Sequence, residues 1–118
     1  MKETAIKHFR NKMNCSQCIL KAAQEKFNLN INDKIINMLS AVNGGLGVES
    51  ICCSLIACIL VLGLIFDKDR AKLTRIRFLS EFKEKYKNLN CPKLKNEYLC
   101  EDIIIDALDI LEKVIKED

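Results

Sequence analysis

The chain has 118 residues, with 19 Lys and Arg against 16 Asp and Glu, for a formal net charge of +3. That length suffices for one domain with a core of its own. A charge this small, with basic and acidic residues interleaved, excludes a strong nucleic-acid or lipid footprint.

The first segment, Met1–Asn14, is polar and amphipathic, with no apolar signal core and no small-residue cleavage site. The expectation is a cytoplasmic protein, where thiols are kept reduced. Seven cysteines is an odd number, and their density lies below the roughly 8–10 % of secreted disulfide scaffolds. Metal binding, redox chemistry and plain burial are the uses left for them.

Spacing predicts a short helix over Thr4–Lys12, with Ala5, Ile6 and Phe9 on its apolar stripe. Asn14-Cys15-Ser16-Gln17 reads as a capping box, the Asn14 side chain holding the first turn and Gln17 reaching back. The helix that follows runs from Cys15 to Phe27 and carries Cys15, Cys18, Ile19, Ala22, Ala23 and Phe27 on one face. A third helix, Asp33–Val42, turns Ile35, Ile36, Leu39 and Val42 inward, and the loop Gly44-Gly45-Leu46-Gly47 comes next.

Glu49–Phe66 dominates the pattern. It is apolar from Ile51 to Phe66, shorter than the roughly 18–20 residues of a membrane span. Apolar on every side, it is expected to be the central buried helix of a bundle, at about residues 50–66. Ser50 or Glu49 is its expected N-cap, which places Cys52 in the first turn, where the positive helix end favours thiolate. Ser54, Ala57, Cys58 and Val61 form a small-residue side, against Cys52, Ile56, Ile59 and Gly63 on another.

Asp69–Lys87 follows as a helix with Leu73, Ile76, Leu79, Phe82 and Tyr86 inward, then a loop around Pro92. The last helix, from about Cys100 to Lys116, buries Ile104, Ala107, Leu108, Leu111 and Val114 or Ile115. No stretch alternates with period two. The fold class is all-α, a compact bundle of five to six helices around the fourth.

Sulfur is the chemistry that remains once other signatures are tested. The glycine turn is neither a dinucleotide fingerprint nor a phosphate loop. The single histidine, His8, has no triad around it. Cys15-x-x-Cys18 has redox-dithiol spacing, but no strand precedes it, which excludes a thioredoxin-like unit. There is no CxxCH for covalent haem and no second tight cysteine pair for a zinc finger. Cys58, mid-helix with apolar flanks, reads as core. Cys15 and Cys52 sit at predicted helix starts, and Cys91 and Cys100 bracket a loop; these four are the candidate functional thiols.

The order Asn14-Cys15-Ser16-Gln17, then Gly44-Gly45-Leu46-Gly47, then Cys52-Cys53-Ser54-Leu55-Ile56-Ala57 running into Leu62-Gly63-Leu64, then Cys91 and Cys100, resembles the C_GCAxxG_C_C family. These are small proteins described as redox-active and often encoded near transporters. The resemblance implies one helical domain over residues 1–118, with hallmark cysteines at Cys15, Cys52, Cys91 and Cys100. Both glycines of the family's Cys-Gly-Ala-x-x-Gly motif are replaced here by small residues, Cys53 and Ala57, and the second thiol at Cys53 offers a dithiol.

The leading reading is a thiol redox protein in which Cys52 or Cys15 reacts and Cys91 or Cys100 resolves. The alternative is an iron–sulfur or zinc protein using the same four thiolates, and a second alternative is a structural adaptor with inert thiols. Gly44, Gly45 and Gly47 are the cofactor-approach candidates, though no cofactor is specified. Partners to consider are a redox protein, a transporter-associated protein and a second copy of the chain; a membrane span and nucleic acid are not expected.

Overall fold

The computed structural model describes residues 2–42, 48, 51–87, 89 and 100–117. These form an all-α bundle whose helices are α1 (Lys2–Arg10), α2 (Cys15–Phe27), α3 (Asp33–Met38), α4 (Cys53–Ile65), α5 (Lys68–Tyr86) and α6 (Cys100–Glu117). The glycine turn Gly44, Gly45 and Gly47, and the loop thiol Cys91, lie outside the described residues.

The capping box at the start of α2 forms as the sequence predicts. The Asn14 side chain accepts from the Gln17 backbone N–H at 3.0 Å, and the Asn14 N–H donates to Gln17 Oε1 at 3.2 Å. The same two side chains then reach across to α3. Asn14 Nδ2 donates to the Leu39 carbonyl at 2.8 Å, and Gln17 Nε2 to the Ile36 carbonyl at 3.0 Å. The same two side chains that cap the start of α2 thus also bind carbonyls at the end of α3, tying the two helix ends together. That exchange explains why α3 is shorter than its apolar pattern: the helix stops at Met38, while Ile36 and Leu39 are buried and Ile35 and Val42 pack at the edge of the core.

Helix α4 lies at the centre, packed against α2, α5 and α6. Its small side, Ser54, Ala57, Cys58 and Val61, is fully enclosed together with Leu55 and Leu62, because small side chains let neighbouring helices come close. The helix begins at Cys53 and its N-cap is Cys52, which corrects the expected start near residue 50; Glu49 and Ser50 lie outside the described residues. Burial is also one-sided. Leu60 and Leu64 are 44 % and 50 % exposed, and a side chain built at Gly63 would meet nothing within 4 Å. No helix among the described residues is long and apolar enough to cross a membrane.

Helix α5 is capped by Asp67, whose side chain accepts from the Arg70 N–H at 2.9 Å. Phe82 and Tyr86 are buried as expected and Leu79 packs at the core edge, but Thr74 and Phe78 complete the buried stripe in place of the expected Leu73 and Ile76. Leu73 and Ile76 are 64 % and 59 % exposed. The three rings decide the rotation, because each aromatic side chain buries far more area than an aliphatic one. Phe82 lies between Phe78 and Tyr86, with ring centroids 6.5 and 4.8 Å away. The buried Thr74 hydroxyl is satisfied by the Arg70 carbonyl at 2.9 Å.

Helix α6 buries Ile103, Ile104, Ala107, Leu108, Leu111 and Val114 on the face its periodicity predicts. Tyr86 donates to the Asp106 carboxylate, and Lys85–Asp106, Lys113–Glu81 and Arg77–Glu117 pairs line its seam with α5. These exposed pairs set orientation more than stability. α1 is seated by Lys2 on Asp109 and by Thr4 on Glu25.

Candidate thiol site

Two helix starts meet at the site. Cys15 is the first residue of α2 and Cys53 the first of α4. Their sulfur atoms lie at disulfide-bonding distance, with Cα atoms 6.3 Å apart across a sequence separation of 38, inside the range such a bond requires. Cys15 is half-buried at the edge of the core, whereas Cys53 is only 1 % exposed. Cys15 as a residue is therefore partly open to solvent and Cys53 is not.

Local chemistry fixes both ends. The capping box and its bonds to α3 hold the first turn of α2, and Ser16 is fully buried with its hydroxyl donating to Asn14 Oδ1 at 2.6 Å. At α4, the Cys52 side chain makes no capping hydrogen bond; its carbonyl accepts from the Leu55 N–H at 3.1 Å, and its own N–H donates to the Leu89 carbonyl at 2.9 Å. That bond ties the start of α4 to the segment leading toward Cys91 and Cys100. Ser54, next to Cys53, is buried with no hydrogen-bond partner for its hydroxyl among the described residues. Both members of the pair thus occupy the first position of a helix.

The four sequence candidates are placed differently. Cys15 is in the pair. Cys52 is adjacent to it through the chain but buried, 5 % exposed, and outside the first helical turn that the sequence assigned it. Cys100 is half-buried at the start of α6, and Cys91 lies outside the described residues. Among the described residues, no three His, Cys, Asp or Glu side chains converge to hold a metal ion.

Cys53 is the residue that sequence reasoning underweighted. Its signal was the second thiol of the Cys52-Cys53 pair, at a helix start whose register could not be read to within one residue.

The remaining thiols are core. Cys58 is fully enclosed, and its sulfur donates toward the Ala107 carbonyl at 3.9 Å. Burial pushes its pKa well up, and the nearby Cys52 adds to that. Cys18 faces the Met13 carbonyl at 3.7 Å, and burial pushes it up to about 12 against a small opposing backbone hydrogen bond. In both cases the charged form is penalised by loss of water. Native protein treated with iodoacetamide near pH 8 is expected to leave Cys18 and Cys58 unmodified while Cys100 reacts. Unfolding should equalise the three. Peptide mass spectrometry reads the outcome, and fast native labelling of Cys58 would contradict its enclosed position.

No curated protein and no solved structure matches the chain. A family model described as "Putative redox-active protein (C_GCAxxG_C_C)" matches residues 13–114, a span from the residue before the capping box to the last buried turn of α6. The chain belongs to the C_GCAxxG_C_C family.

Proposed function

We propose that the protein is a thiol–disulfide redox protein whose working couple is Cys15 and Cys53. The observation that carries this reading is the meeting of their sulfur atoms at two helix starts, one residue half-buried and the other enclosed. The family's redox description supports it.

In the reductive direction, the Cys15 thiolate attacks one sulfur of a partner's disulfide. A Cys15–partner bond forms, the partner's S–S bond breaks, and its departing thiolate takes up a proton. The Cys53 thiolate then attacks the Cys15 sulfur and expels the second partner thiolate. The protein loses two electrons and the partner disulfide gains them. Cys53 thus takes the resolving role that the sequence assigned to Cys91 or Cys100. Cys52, Cys91 and Cys100 enter as thiols able to receive the oxidation from the couple by further exchange. A substrate with a small or exposed disulfide suits a site in which Cys15 is half-buried and Cys53 enclosed.

The test is equilibration in dithiothreitol buffers of graded redox ratio, acid quenching, alkylation and peptide mapping. Cys15 and Cys53 are expected to lose alkylation together, in one two-electron transition, as the buffer becomes oxidising. If both stay fully alkylated in the most oxidising buffer, the couple does not exist. If Cys15 pairs with another thiol instead, the couple is reassigned and Cys53 loses its role.

A further inference from the structure

The Cys15-x-x-Cys18 spacing has no part in the exchange between Cys15 and Cys53. Cys15 is the first residue of α2 and Cys18 the fourth, so the two are i, i+3 neighbours on the helix surface. The turn that carries them is well fixed. The Cys18 N–H donates to the Asn14 carbonyl at 3.1 Å, and the Asn14 side chain accepts from the Gln17 N–H. The Cys18 side chain leans toward the Cys15 end of the helix, as helical side chains do. Its sulfur lies 3.7 Å from the carbonyl of Met13, a residue that precedes Cys15 in the chain. Cys15 thus has two thiol neighbours, Cys53 at the start of α4 and Cys18 one turn along α2.

We infer that Cys18 is a second resolving thiol for Cys15, so that oxidation closes within α2 as well as across to α4. This role rests on the reading of Cys15 as the attacking thiol. Once Cys15 carries a partner as a mixed disulfide, its sulfur is not bonded to α4 and can turn toward its own helix. The Cys18 thiolate then attacks that sulfur. A Cys15–Cys18 bond forms, the Cys15–partner bond breaks, and the departing thiolate takes the proton that Cys18 gave up. Cys15 and Cys18 lose two electrons and the partner disulfide gains them. Helical i, i+3 neighbours have Cβ atoms roughly 5–6 Å apart, and a disulfide needs about 3.5–4.5 Å. The first turn must therefore tighten toward 3₁₀ geometry, which is common at helix ends. Cys18 is fully enclosed, so no partner disulfide reaches it directly and it acts only on a sulfur already held at Cys15. Burial also keeps it protonated near neutral pH, which slows this route and lets the mixed disulfide accumulate first. The resulting bond spans one turn of one helix, leaves α2 and α4 unlinked, and does not replace the interhelix bond in stability.

Glutathione disulfide added to the reduced protein tests it, followed by acid quenching over time, alkylation and nonreducing peptide mapping. Cys15 and Cys18 share the tryptic peptide 13–21, so their bond shows as a peptide carrying neither alkyl group nor glutathione. In Cys53→Ser, the Cys15–glutathione adduct is expected to rise and then give way to that peptide. In Cys18→Ser/Cys53→Ser the adduct should persist about tenfold longer or more, since a thiol one turn away acts at high effective concentration. Wild-type and Cys18→Ser proteins should both form the Cys15–Cys53 bond. Circular dichroism checks that the variants fold, and if those lacking Cys18 do not, the fate of the adduct in Cys53→Ser decides alone.

An adduct that never gives way to the closed peptide in Cys53→Ser overturns the inference, and so does one as long-lived there as in the double variant. Decay of the adduct only into a bond from Cys15 to Cys52 or Cys100 overturns it too. In each of these cases a Cys15–Cys53 bond in the wild type leaves the proposed couple standing. Wild-type protein that closes Cys15–Cys18 and never Cys15–Cys53 does the reverse, keeping Cys18 as the resolving thiol and removing Cys53. Cys15 that takes no glutathione in any of the proteins overturns both.

Discussion

Reducing the proposed Cys15–Cys53 bond is expected to lower the unfolding free energy by about 4 kcal/mol, the chain-entropy value for a closed loop of this length. The sequence separation of 38 sets that figure, because the bond removes from the unfolded chain every conformation in which the two ends of the loop are apart. Urea unfolding of oxidised and reduced protein gives the difference directly.

Cys53→Ser should match the reduced protein under both conditions, and Cys15→Ser should do the same. Cys52→Ser should preserve the gap between oxidised and reduced forms, since Cys52 lies outside the pair. If the gap survives in Cys53→Ser and vanishes in Cys52→Ser, the bond belongs to Cys52 and the register of the site shifts by one residue. The difference between adjacent positions is large because Cys53 begins the helix, pointing its sulfur at the start of α2, whereas Cys52 is the residue before it.

Ala57→Leu is the second substitution with a large expected effect, about 1–3 kcal/mol of destabilisation from overpacking. Ala57 is fully enclosed on the small side of α4, among Ser54, Cys58 and Val61. Three added carbons there must push a neighbouring helix outward or force a strained rotamer. Cys18→Ser should cost less, although Cys18 is equally enclosed. Serine is smaller than cysteine, so the change weakens the contact with the Met13 carbonyl and leaves a small void but pushes no helix outward. Denaturation midpoints of the two variants, both measured with Cys15–Cys53 oxidised, make the comparison. Equal midpoints would mean that α4 is not closely packed on that side.

Much of the architecture was legible in the sequence because it depends on local chemistry. Asn14 and Gln17 announce the start of α2 through a hydrogen-bonding pattern that needs only four residues. The period of Ile104, Ala107, Leu108, Leu111 and Val114 marks the buried face of α6 without any knowledge of its neighbours. The run of small and apolar residues in α4 identified the central helix, and its small side is the side that packs.

Tertiary structure alone decided the rest. In α5, aliphatic and aromatic residues offer two overlapping stripes, and the three rings win because they remove more apolar area from water, which leaves Leu73 and Ile76 outside. In α4, uniform hydrophobicity carries no information on which side faces outward, so the exposure of Leu60 and Leu64 follows only from where α2, α5 and α6 lie. At the site, adjacent thiols at a helix start differ by one residue of register. Which of them meets Cys15 is settled by where α4 begins relative to α2, a distance between two helix ends that no local pattern encodes.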